Sequence, residues 1–138
     1  MTPSKNLLGA IGETKVTLDL MELGFYVLHP VHEGGSVDLV ALKGSNIYRI
    51  QAKYRHLQEG YIDIHWATGE GSYNSSCDII AVYVPELETV FYIPSSICGD
   101  NKAKKRLHIR EQDKDKENYL FSYTVFPLNC GLKTVPID

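Results

Sequence analysis

The chain has 138 residues, with 14 Lys and Arg against 17 Asp and Glu, a formal net charge of −3 and 43% hydrophobic residues. That composition supports one buried core, reads as a single domain over residues 1–138, and excludes disordered and collagen-like chains. The longest apolar run, residues 79–85, is far short of the ~18 residues a spanning helix needs, and a pI near 5.9 argues against indiscriminate binding to nucleic acid.

In residues 4–23 the apolar positions Leu7, Ile11, Leu18 and Met21 recur at spacings of 4, 7 and 3, one stripe of an α-helix. Thr2 or Ser4 is placed to cap its start, and Gly24 stands where helices end in a left-handed residue. Residues 25–28 form a short apolar strand that stops before Pro30, and residues 33–36 read as a turn. Residues 37–42 form a second strand with one carboxylate, Asp38, inside it. Gly44-Ser45-Asn46 reads as a hairpin turn into a third strand over residues 47–54. A short strand at 61–66, a polar loop at 68–76, and two buried strands at 78–84 and 89–93 follow. Residues 102–110 are basic with Leu107 and Ile109 alternating, and residues 111–117 read as a solvated mixed-charge surface.

No continuous apolar block marks a secretory leader, because residues 7–11 are followed at once by Gly12, Glu13, Thr14 and Lys15. Cys77, Cys98 and Cys130 are 21 and 32 residues apart, a spacing that suits neither a disulfide framework nor a close-set zinc site. They read as reduced thiols of a cytoplasmic protein. The 68–76 loop holds Gly69 and Gly71 but lacks the Lys-Ser/Thr ending of a phosphate loop, so no nucleotide cofactor is expected.

Side chains on a strand alternate faces, so Gln51 and Lys53 share one side of the third strand while Ala52 takes the other. If the Asp38 strand returns antiparallel through the Gly44 turn, Asp38 comes beside Gln51 or Lys53 on the same face. Glu13 lies roughly 200° around the helix from Ile11, away from the apolar stripe. Solvent is the commoner fate of such a carboxylate, and a salt bridge from Asp38 to Lys53 is the plain structural alternative.

Gly12-Glu13 on a first helix, Val37-Asp38 on a strand and Gln51-Ala52-Lys53 on the next, with the polar members at spacings of 25, 13 and 2, resemble the nuclease core of the PD-(D/E)XK superfamily. The run 48–53, the run 81–88 and Tyr92-Ile93-Pro94 extend the likeness, which covers roughly residues 8–110 and is nearest to small group I intron-encoded homing endonucleases carrying Gln in the second acidic position. The resemblance implies an α/β, restriction-endonuclease-like core, a central mixed sheet flanked by helices, and a Mg²⁺-dependent endonuclease hydrolysing double-stranded DNA, with Mn²⁺ as substitute metal. Asp38, Gln51, the Ala52 carbonyl and Glu13 would bind the ion, and Lys53 would orient the attacking water and stabilise the transition state. Val37 replaces the Pro of the family motif, and Gln51 leaves the site one formal charge short.

Phosphate contacts are expected from Arg55 and His56, just past Lys53, and from the basic group Lys102, Lys104, Lys105, Arg106 and Arg110, with a solvated surface as the alternative. Cutting both strands of a duplex calls for a homodimer or homotetramer, with exposed Tyr and Phe of the second half as interface. Two other readings share the residues: a structure-specific nuclease such as a Holliday-junction resolvase, and a degenerate fold that binds DNA or a protein partner without hydrolysis.

Overall fold

The computed structural model describes residues 3–32, 35, 37–65, 77–98 and 104–133. Trp66, the 68–76 loop, Lys102, and Glu33, Gly34 and Ser36 of the predicted turn lie outside the described residues. The chain starts with helix α1 (Lys5–Glu22), whose N-cap Ser4 accepts a hydrogen bond from the Leu7 N–H at 3.2 Å. Gly24 takes φ +90°, which is where the helix turns away into β1 (Tyr26–Leu28).

Strands β1, β2 (Leu39–Lys43) and β3 (Asn46–Tyr54) form an antiparallel meander, with the predicted hairpin closing on Lys43 opposite Asn46. Strand β5 (Ile79–Val84) runs parallel to β3, and β6 (Thr89–Pro94) returns antiparallel to β5. The sheet is therefore mixed, in the order β1-β2-β3-β5-β6, with the short β8 (Leu132–Lys133) also on β3. Asp78 fixes the parallel register: its carboxylate accepts from the Arg49 backbone N–H at 2.8 Å and its own N–H donates to the Arg49 carbonyl at 2.8 Å. The Arg49 guanidinium closes the pair at 2.9 Å.

Helix α1 covers one face. Val16 and Leu20 pack there with Leu39, Ala41, Tyr48, Ile50, Ile79 and Phe126, and Tyr92 donates a hydrogen bond to Asp19. Here the helix departs from its sequence reading. Leu7, Leu18 and Met21 of the predicted stripe are 51%, 51% and 59% exposed, and the buried face is Gly12, Val16 and Leu20. The reason is proximity: a Cβ on Gly12 would stand 3.1 Å from Tyr54 Cβ and 3.2 Å from the Lys53 carbonyl, so the side facing the sheet has room for glycine and not for a large side chain.

The opposite face is covered differently from the expected flanking helices, since α1 is the only α-helix among the described residues. A two-stranded antiparallel ribbon of β4 (Tyr61–His65) and β7 (Lys104–His108) lies there. Ile62, Ile64 and Leu107 of the ribbon pack with Ile80, Val82, Phe91, Ile93, Cys98 and Leu120 in a second core. Strand β5 is thus buried on both sides, which explains its unbroken apolar sequence.

Candidate active site

The β2–β3 register places Leu39 opposite Ile50, and the ladder continues one step with the Asp38 N–H donating to the Ile50 carbonyl at 2.9 Å. Asp38 therefore stands opposite Gln51. Leu39 and Ile50 both point into the α1-side core, so by alternation Asp38 and Gln51 point to the other face together, with Lys53 two residues on. The Ala52 N–H donates to Asp38 Oδ2 at 2.9 Å and holds the carboxylate against β3.

Glu13 follows Gly12, the point of closest approach between α1 and β3, and this brings its carboxylate into the field of Asp38. It is 40% exposed and sits 3.3 Å from His29 Nδ1, so it is neither buried nor wholly on solvent. Burial lifts the Asp38 carboxyl above its ordinary range; the Ala52 N–H and the Lys53 ammonium oppose the rise and Glu13 adds to it. Burial likewise pushes the Lys53 ammonium down to about 8, with Arg55 repelling it and Asp38 holding it up. Gln51 Oε1 is buried and accepts no hydrogen bond among the described residues, at a cost of ~1–3 kcal/mol for a lone acceptor.

Lys53, Arg55 and His56 line a cavity of about 570 Å³ together with Lys5, Gly9, Tyr61, Asp63 and His65. Arg55 braces this wall, donating from Nε to the Asp63 carbonyl at 3.1 Å and from Nη1 to the Tyr54 carbonyl at 2.8 Å. His56 Nδ1 lies 2.6 Å from Glu86 Oε2, whose other oxygen accepts the Leu57 N–H at 2.6 Å. Sequence reasoning missed Tyr61, Asp63, His65 and Glu86; the period-two pattern of residues 61–66 contained the signal for the first three.

The fold divides the basic group. Lys104, Lys105 and Arg106 lie on β7 and alternate, so they do not form one patch. Lys104 and Arg106 reach Asp63 at 3.9 and 2.8 Å, Lys105 turns to Glu117 at 2.8 Å on the other side, and Arg110 pairs with Asp113 at 2.7 Å.

A helix leaning on a mixed sheet through one glycine, with Asp, Gln and Lys gathered on the β2–β3 hairpin, defines a nuclease-like α/β fold. The PD-(D/E)XK endonuclease family profile matches residues 4–125, and the chain belongs to that family. No curated protein sequence matches the chain. Among solved structures it is similar to the bacterial homing endonuclease I-Ssp6803I, at 21% identity and TM-score 0.68 over 88% of this chain and 87% of that one. It is also similar to Archaeoglobus fulgidus Hjc, a Holliday junction resolvase from an archaeal hyperthermophile, at 13% identity and TM-score 0.53 over 91% and 90% of the two chains. These likenesses establish a shared fold.

Proposed function

We propose that the chain, as one domain, is a Mg²⁺-dependent endodeoxyribonuclease that hydrolyses phosphodiester bonds in double-stranded DNA, in the manner of homing endonucleases. Membership of an endonuclease family supports hydrolysis of DNA. The observation that carries the metal-dependent reading is the orphaned, buried Gln51 Oε1 on the face it shares with Asp38.

Among the described residues no three His, Cys, Asp or Glu side chains cluster. A divalent ion would therefore be held by hard oxygens of mixed charge: Asp38, Gln51 Oε1, the Ala52 carbonyl and Glu13, either directly or through water. When bound, the ion acidifies a water and neutralises charge growing on the phosphate. The chain does the rest. Asp38 is kept in place by the Ala52 N–H, and Lys53 Nζ holds a proton it releases more readily than an ordinary lysine. Near neutral pH Lys53 can therefore orient the attacking water and then stabilise the developing charge.

The amide at position 51 makes a prediction. Gln51→Glu is expected to tighten Mg²⁺ binding by about tenfold or more, since it adds a full negative charge at a partly desolvated site. In chelator the same variant should melt lower than the parent, because three carboxylates then repel one another. Calorimetric titration with Mg²⁺ and melting in EDTA read both effects.

Symmetric cleavage of two antiparallel strands favours a homodimer or homotetramer. The exposed apolar side chains Leu18, Met21 and Tyr26 support an interface between copies, more than the expected aromatics of the second half, of which Phe121 is 38% exposed. Light scattering should return a mass of two or four chains; a monomer at working concentration would overturn this part. The free thiols Cys77, Cys98 and Cys130 support a reducing, cytoplasmic setting, and among the described residues no helix is long and apolar enough to cross a membrane.

The deciding experiment is digestion of a linear duplex library and of a four-way junction with Mg²⁺ or Mn²⁺, followed by sequencing of the ends. Cutting of linear duplex at defined sites is expected. Cutting of the junction alone would move the assignment to a resolvase, the reading that the Hjc-like fold supports. No cutting of either substrate would leave a binding module.

A further inference from the structure

The β4–β7 ribbon has one face anchored and, among the described residues, one face open. Ile62, Ile64 and Leu107 are no more than 1% exposed and fix it to the core. The alternate positions Tyr61, Asp63, His65, Lys104, Arg106 and His108 form the other face by strand periodicity and cross-strand pairing. In a chain of net charge −3 this face carries two cations against one acid, and it adjoins the Lys53 cavity, whose wall includes Tyr61, Asp63 and His65. A two-stranded ribbon has the width to enter the major groove of DNA.

Arg106 is preset within that face. Its Nε and Nη2 donate to the two oxygens of Asp63 at 2.8 and 3.1 Å, and its guanidinium lies 3.8 Å from the Tyr61 ring centroid. A guanidinium has five N–H groups, so pairing the Nε/Nη2 edge with a carboxylate leaves the Nη1/Nη2 edge as a parallel pair of donors. Among the described residues that outer edge makes no hydrogen bond, and Arg106 is 40% exposed. Two parallel N–H donors on a planar group match the O6 and N7 acceptors of guanine in the major groove. Because Asp63 and Tyr61 already restrict the side chain, little rotamer entropy remains to be lost on contact.

Building on the endonuclease reading above, we propose that Arg106 is a specificity-determining residue that reads a guanine in the DNA major groove beside the cut, with Asp63 as its positioning residue. Asp63 lines the cavity that holds Lys53, so the guanine lies near the cleaved bond.

The test compares the cleavage-site profiles of wild type, Arg106→Ala, Arg106→Lys and Asp63→Asn on one degenerate duplex library with Mg²⁺, each at several salt concentrations. Wild type should show one guanine position preferred by about tenfold to a hundredfold over other bases. Arg106→Lys keeps the charge but not the fork; it should lose that preference while its salt dependence stays that of wild type. Arg106→Ala should lose the same preference, and Asp63→Asn should weaken it without changing which position is read. If both Arg106 variants slow cleavage equally at all sites, or leave the guanine preference intact, Arg106 grips phosphate or surface only and the proposal is overturned. The variant profiles depend on wild-type cleavage, so the absence of wild-type activity identifies failure of the endonuclease reading instead.

Discussion

Lys53→Met is expected to abolish cleavage and to raise the melting temperature of the same protein. Removing a charge aimed at the developing phosphate charge should lower the rate by ~10²–10³ or more. The stability gain follows from the position of Lys53, where burial and Arg55 push its ammonium down to about 8. An unfolded lysine titrates near 10.4, so below pH 8 the ammonium is present in both states and its burial cost is felt in full. The cost fades as pH rises from 8 toward the unfolded value. With Lys53 partly exposed, ~1–2 kcal/mol is a reasonable gain at pH 7, or a few degrees in Tm, shrinking by pH 10. Melting curves at pH 7 and pH 10 in chelator, alongside cleavage assays, check it; a variant that cleaves, or that melts lower at pH 7, would count against the assignment of Lys53.

Asp38→Asn should be the second severe lesion, with cleavage falling ~10³-fold. Asparagine still offers an oxygen to the Ala52 N–H, so the hairpin is expected to survive. Because burial and Glu13 raise the folded Asp38 pKa, the ionised carboxylate costs stability above that raised value. The cost disappears below the ordinary carboxylate range. The variant should therefore melt higher than wild type at pH 7 in chelator and lose that advantage toward pH 3. Adding Mg²⁺ at pH 7 should lift the Tm of wild type and leave the variant nearly unmoved.

Both expectations express one trade: the groups that do the chemistry weaken the fold that holds them. Much of this site was legible before any coordinates. A short hairpin with period-two alternation sets which side chains share a face, so the Gly44 turn pointed to Asp38 beside Gln51 or Lys53, and the ladder selects Gln51. Strands β1 to β6 were legible from alternation or from apolar runs bounded by turn residues, whereas β7 and β8 were not. The buried face of helix α1 was not legible either, because its large apolar residues mark a different stripe, while its contact with β3 is so close that the crossing leaves no room for a large side chain at Gly12. The pairing of β4 with β7 was also hidden. Tyr61 meets His108 across 47 positions of sequence, and local patterns carry no information on such a distant partner. The basic run at 104–106 was visible as charge, but its division between Asp63 and Glu117 needed the ribbon.

Strand β3 is bonded to β2 along one side and to β5 along the other, and it supplies Gln51, Ala52 and Lys53. An interior strand of this kind exchanges its amide protons only through large-scale opening, unlike a strand at the rim. The slowest-exchanging amides of the molecule should thus include those of the chemical centre, which would come apart only with the whole sheet.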